Sequence, residues 1–488
     1  MHHVQVCKNY SAFGIVFTNI KLRNCSEYGI LSLARFRSST EEKMNSTNIT
    51  SAEAARLLGV SERRVVALIH SGDLEAQKFG RSWAVSEESV RSRLANGTVS
   101  GRPPYGQKKR NLIQAYTLMN KNDAVLHFVF DSESKRVVKV EEDEYVIASP
   151  IGSCRGIGKP TATQLTSWIT DRYIPENRIG LREILAKTGC KDPAELLFQT
   201  FGQNLTDQYW FKPEGSNLDW NEINYFHNPY VGNVNAKGPG SGTPGMLPKW
   251  WEQRAGKNFL IKGSGQGERE PFAELLASRL YERLLEPQDF VAYSIEEYEE
   301  KPHSVCENFI TEHTQLVPLR EVMSCFRRPQ YEPYNYAEYV EVCNELGVAD
   351  IERQLAKMIV CDFLTANIDR HDINLGLIRD SETLQFVGVA PLFDNGRGFY
   401  YSAQRKSDFG SKPFFHTSHP FSEYPSSQLA LVRDYSWFDA QKLDGFEDEI
   451  VETLSRNELL PAWFPRAAAK QFEIQLERVI EAQEEHTR

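Results

Sequence analysis

Ala366-Asn367-Ile368-Asp369-Arg370-His371-Asp372-Ile373-Asn374, followed by Pro391-Leu392-Phe393-Asp394-Asn395-Gly396, is the most specific signal in the chain. Phosphoryl transfer from ATP needs a carboxylate to take the proton of the attacking hydroxyl. It also needs an amide or carboxylate oxygen on Mg²⁺, and a second carboxylate on the metal that bridges the phosphates. Asp369 and Asn374 stand five residues apart on a polar segment, as a base and a metal ligand on one loop must. Asp394 precedes Gly396 just after a predicted strand, Leu384–Val389. Either piece alone is an ordinary polar turn. Together, and in this order, they read as a catalytic loop and a metal-binding strand end.

Working upstream, Asn258-Phe259-Leu260-Ile261-Lys262 is an apolar strand ending in lysine, and Glu274 follows on a predicted helix from Pro271 to about Leu285. ATP-dependent kinases use a lysine on the α/β-phosphates and a helix-borne glutamate to hold that lysine. Lys262 and Glu274 take those places, with Glu270 a weaker choice because it precedes Pro271. A lone strand-terminal lysine snorkels more often than it works, so the order of the pieces carries this reading. Ahead of the strand lies Lys237-Gly238-Pro239-Gly240-Ser241-Gly242-Thr243-Pro244-Gly245-Met246-Leu247-Pro248-Lys249. Gly240, Ser241, Gly242, Thr243 and Gly245 offer backbone N–H groups and hydroxyls to phosphate. The loop matches neither G-x-G-x-x-G nor a Walker A sequence, and by itself a surface loop fits as well.

On Phe259-Leu260-Ile261-Lys262, the Glu274 helix, Asn367 to Asn374 and Ala390 to Asp394, residues from about Lys121 onward resemble the HipA-like serine/threonine kinases of bacteria. Leu205-Thr206-Asp207-Gln208-Tyr209-Trp210 and Trp220-Asn221-Glu222-Ile223-Asn224 also look like an uncharacterised branch of that family. The resemblance implies an α+β, two-lobed fold, ATP and Mg²⁺, and transfer to Ser or Thr of a protein. It makes Asp369 the base, Asn374 and Asp394 the metal ligands, and Lys262 the phosphate clamp. The loop departs from the family toxin's S-x-x-G pattern, which argues against Ser241 as a site of autophosphorylation. It leaves open a toxin–antitoxin, defence or transcription-regulatory role, an antitoxin partner and a homodimer.

Residues 50–95 carry a different signal. Thr50 and Glu53 form a capping box, Ser61 caps a second helix Glu62–His70, and a hairpin around Gly80-Arg81 leads to a third helix after Ser86. This pattern resembles an excisionase- or MerR-like winged helix-turn-helix. In that geometry Ser61, Arg63 and Arg64 begin the helix that enters the major groove of duplex DNA, and Lys78 and Arg81 sit on the wing. Seven basic against six acidic residues from Thr50 to Ala95 make a thin phosphate-binding surface. The alternative is a protein-contact module.

Composition sets the outer bounds. The 488 residues are 41% hydrophobic and 25% charged, which excludes a disordered chain and allows several domains. A net charge of −10 argues against nucleic-acid binding over the whole surface. Eight scattered cysteines without zinc spacing fit reduced thiols in a cytoplasmic protein. No apolar run reaches the roughly 20 residues of a membrane span. The expected order is 1–43, an unstructured or mis-called extension; 44–95, winged helix-turn-helix; 96–111, basic linker; 112–345, N-terminal region and N-lobe; 346–488, C-lobe. Two other functions fit the same motifs: a phosphoinositide-like lipid or small-molecule kinase, and a non-catalytic DNA-binding regulator that senses nucleotide.

Overall fold

The computed structural model describes residues 48–58, 60–80, 82–95, 113–141, 160–228, 245–265, 267–325 and 333–487. The chain divides into two units, residues 1–109 and 110–488.

In the first unit, β1 (Asn48–Thr50), β2 (Ala76–Phe79) and β3 (Ser82–Ser86) form an antiparallel sheet in the order β1-β3-β2. The hairpin β2–β3 is the wing that the sequence predicts, and β1 adds a third strand to it. Thr50 Oγ1 accepts the Glu53 N–H at 3.2 Å, so the helix Ser51–Leu58 starts where its cap dictates. Ser61 Oγ likewise accepts the Arg64 N–H at 3.3 Å and starts the helix Glu62–His70. The two helices bury Ala54, Ala55, Val65 and Leu68 against Leu74, Val85 and Val90. This small core leaves the polar face of Glu62–His70 to solvent, with Arg63 and Arg64 exposed.

The second unit opens with β4 (Ile113–Asn120), β5 (Asp123–Asp131), β6 (Arg136–Val140) and β7 (Tyr209–Pro213), in the order β6-β5-β4-β7. Helix Ala162–Asp171 covers this sheet, and Leu118, Phe128, Leu165, Ile169 and Phe211 close its core. Next come β8 (Lys249–Arg254), β9 (Lys257–Lys262), β10 (Tyr293–Tyr298) and β11 (Lys301–Glu307), in the order β10-β11-β9-β8. The helix Glu270–Leu284 leaves this sheet and drives Leu276, Ala277, Leu280 and Tyr281 into the main core. A third sheet, β12 (Thr314–Pro318), β13 (Gly376–Asp380) and β14 (Phe386–Val389), sits beside the apolar helix Ile351–Thr365. The fold is mixed helix and sheet, as expected.

Two details differ from the sequence reading. The strand read as Leu384–Val389 is Phe386–Val389, since Leu384 takes φ +59°, which no strand tolerates. Lys249, read as the end of a loop, is the first residue of β8. The expected extension 1–43 and the linker 96–111 lie outside the described residues.

Candidate active site

The upper sheet delivers the lysine. Ala255 and Gly256 take positive φ (+49° and +80°), the mirror-type turn that matches strand twist, and they fold β8 onto β9. Lys262, the last residue of β9, is buried, and its Nζ lies 2.6 Å from Glu274 Oε1 and 2.6 Å from Asp394 Oδ1. Glu274 Oε2 accepts the Asn395 N–H at 2.8 Å, so one carboxylate ties the helix Glu270–Leu284 to both the lysine and the Asp-Asn-Gly turn. Glu270 does not share this role. It lies in the first turn of the helix, where it accepts the Tyr401 hydroxyl at 3.1 Å and faces the Gly265 N–H. The fold thus selects Glu274 over its neighbour.

Electrostatics follow from this packing. Burial alone would push the Lys262 ammonium down, but Asp394 and Glu274 outweigh it and hold the lysine well above its ordinary value. Burial would raise Asp394, yet Lys262 and Lys249 keep its carboxyl well below the usual carboxylate range. Glu274 is wholly buried, and burial lifts its carboxyl despite Lys262 beside it. Asp394 adopts φ +56°, a left-handed conformation that costs backbone energy for a non-glycine residue. Its side chain remains about one-third accessible, 35% against 5% for Lys262. The accessible carboxylate is the one that can still take a ligand.

The segment between helix Ile351–Thr365 and β13 forms the loop. Arg370 is 1% exposed and organises it. Its guanidinium grips Asp362 with two bonds of 2.9 and 3.0 Å, and donates to Asn374 O at 2.9 Å, Phe393 O at 2.5 Å and Asn395 Oδ1 at 2.5 Å. One side chain therefore fixes the Asp369–Asn374 loop against the Asp394 turn. Asn374 Nδ2 donates to Asp369 O at 2.8 Å, which leaves Oδ1 as the amide oxygen for a cation. Burial and the nearby Asp394 raise Asp369, partly offset by His371 and by Arg397, whose Nε stands 3.8 Å from Asp369 Oδ2. Asp372 leaves the site altogether: Arg320 holds it at 2.8 and 3.0 Å and the Tyr334 hydroxyl at 2.9 Å.

These groups open on a cavity of about 270 Å³ between the sheets. Its wall includes the apolar side chains of Leu260, Val291, Phe309, Leu316, Ile373 and Phe393. The same wall carries Lys249, Lys262, Asn374 and Asp394. Asp369 is not in the wall, but its main-chain carbonyl accepts the Nδ2–H of Asn374, which is. Among the described residues, no three His, Cys, Asp or Glu side chains cluster as a metal cage. One carboxylate and one amide oxygen suit Mg²⁺, which keeps waters and takes phosphate oxygens for the rest of its shell.

Of the residues expected from sequence, Lys262, Glu274, Asp394, Asn374 and Asp369 converge here. Gly245 is described and takes φ +99°. Gly240, Ser241, Gly242 and Thr243 lie outside the described residues. In the first unit, Ser61, Arg63 and Arg64 occupy the start of the second helix, and Lys78 sits on β2 with Nζ 5.4 Å from the Trp83 ring. Arg81 lies outside the described residues. Sequence reading missed Arg370 and Lys249. The second had a signal: it stands as far before the Ala255-Gly256 turn as Lys262 stands after it, so the hairpin places the two lysines opposite one another.

A family model described as a helix-turn-helix domain matches residues 49–98. A search of curated proteins finds no match. Among solved structures, the chain is similar to the crystal structure of CtkA, a proinflammatory kinase of Helicobacter pylori. The identity is 15%, over 50% of this chain and 92% of that one, with a TM-score of 0.38. The first unit is thus similar in sequence to a helix-turn-helix domain, and its two capped helices and winged sheet have that form.

Proposed function

We propose that residues 110–488 form an ATP- and Mg²⁺-dependent phosphotransferase acting on Ser or Thr hydroxyls of a protein, and that the helix-turn-helix unit binds duplex DNA. The observation that carries the first part is the meeting of Lys262, Glu274 and Asp394 within 2.6 Å contacts, beside Asn374, at one cavity. The apolar side chains of the wall suit a purine ring, and Lys249 and Lys262 suit a triphosphate. Asp394 and Asn374 would hold Mg²⁺, which neutralises phosphate charge when bound. Lys262 binds phosphate oxygens, and Glu274 keeps its ammonium aimed at them. Asp369 takes the proton as the acceptor oxygen bonds to the γ-phosphorus and the bond to the β-phosphate oxygen breaks. Its raised proton affinity suits that step.

Among the described residues no helix is long and apolar enough to cross a membrane. Cys190, Cys306, Cys343 and Cys361 are free and buried, which fits a reducing compartment such as the cytoplasm. The test is mass spectrometry after incubation with Mg-ATP, alone and with cell lysate, for the wild type and Asp369→Asn. Phosphoserine or phosphothreonine formed by the wild type alone supports the reading. Equal phosphorylation by both proteins, or none by either, defeats it.

A further inference from the structure

Lys249 is 8% exposed and opens β8 directly opposite Lys262, in the register Lys249↔Lys262. Residues opposed across a sheet project to the same face, and like charges in that position repel. Both lysines wall the same cavity. Two contacts hold the turn over Lys249: the Arg178 Nε–H donates to Gly245 O at 3.0 Å, and the Ile179 N–H donates to Met246 O at 2.9 Å. A Cβ built on Gly245 would stand 3.1 Å from Lys249 Nζ, so the bare glycine lies against the ammonium.

Resting on the phosphotransferase reading, we infer that Lys249 is a second phosphate-binding lysine, acting with Lys262 on the triphosphate of ATP. Glu274 and Asp394 both bond to Lys262. If Asp394 turns to Mg²⁺, part of the negative charge now facing Lys249 is taken by the metal. Phosphate oxygens replace it. Burial, with Lys262 and Arg178, pushes the Lys249 ammonium down to about 7, although Asp394 and Glu274 favour its charge. The geometry carries the assignment: two buried lysines, opposed across β8 and β9, wall one cavity with Asn374 and Asp394.

The test is calorimetric titration of the full chain with Mg-ATP and, separately, with adenosine, for the wild type, Lys249→Met and Lys249→Arg. A charge-assisted hydrogen bond predicts that Lys249→Met binds Mg-ATP about 10- to 100-fold more weakly, with adenosine affinity unchanged. Lys249→Arg should recover part of the loss. Thermal unfolding without ligand should show Lys249→Met folded at the titration temperature, so that its loss of affinity is read from folded protein. Unchanged Mg-ATP affinity in Lys249→Met, in a wild type that binds Mg-ATP, overturns this inference and leaves the phosphotransferase reading standing. An equal loss for adenosine and Mg-ATP overturns it too, since the lysine then only holds the fold. Should Lys249→Met not fold, Lys249→Arg with wild-type adenosine binding and intact Mg-ATP binding supports the role, and its loss of both ligands defeats it. No Mg-ATP binding by the wild type defeats both readings.

Discussion

At the scale of single residues, three substitutions separate binding, chemistry and architecture. Asp394→Asn removes the accessible carboxylate that Lys262 and Lys249 keep charged, so metal-dependent nucleotide binding should be lost, measured by titration with and without Mg²⁺. Asp369→Asn should leave nucleotide binding nearly intact and slow turnover about 10²- to 10⁴-fold, because its part begins with proton transfer. Full turnover in that variant removes Asp369 from the mechanism. Arg370→Met keeps the volume but strands the Asp362 carboxylate, which is 5% exposed. Denaturant unfolding should show a loss of about 3–5 kcal/mol, the usual cost of leaving one buried charge without its partner. These residues were not equally legible. Lys262, Glu274, Asp369, Asn374 and Asp394 could be singled out because the phosphoryl transfer proposed for them demands those residue types in that chain order. Arg370 could not, because its work is to join Asp362, Asn374, Phe393 and Asn395, and only the folded chain brings those four together.

At the scale of elements, caps and alternation were easy to read and sheet membership was not. Ser61 starts its helix by a local hydrogen bond that needs no tertiary context. Ser61→Ala should cost the first unit about 1 kcal/mol in thermal or chemical unfolding of its transition. By contrast β12 reads like any short strand, and only its pairing with β13 assigns it to the third sheet. The stretch after the Asp-Asn-Gly turn carries a pH signal. His416 is 5% exposed, stacks near Phe414 and hydrogen-bonds its carbonyl at 3.1 Å. Burial depresses its proton affinity below the ordinary 6.5. Above that value the ring is neutral in both folded and unfolded chains. Below it the unfolded chain binds the proton first, so stability falls with pH until the folded value is passed as well. His416→Phe lacks this linkage. Its stability relative to the wild type should therefore rise as pH falls from 7 towards 5 in parallel denaturant titrations, and a gap that stays constant removes His416 from the acid response.

At the scale of the whole molecule, the charge is divided unevenly. The chain carries net −10, while Thr50 to Ala95 holds seven basic and six acidic residues. DNA binding must then rest on a few side chains and not on a broad positive field, and its affinity should be modest and salt-sensitive. Arg63 and Arg64 stand exposed at the start of the second helix, the end that reads bases in this class of domain. The division into units 1–109 and 110–488 puts them in a different unit from every residue of the cavity. The two activities should therefore come apart by mutation. Arg63→Ala or Arg64→Ala, when bonded to a base edge, should weaken binding to a selected duplex by about 1–3 kcal/mol and relax its sequence preference. The rate of phosphate transfer in the absence of DNA should not change. Asp369→Asn should do the reverse, with an unaltered binding curve at every salt concentration. Fluorescence anisotropy on the full chain, with the duplex chosen by selection from a random pool, measures the first quantity. Release of labelled phosphate or labelling of protein measures the second. If no duplex is retained even at low salt, the helix-turn-helix unit is a protein-contact module. If Arg63→Ala slows transfer without DNA present, the units are coupled and the helix-turn-helix acts on the enzyme as well as on its target.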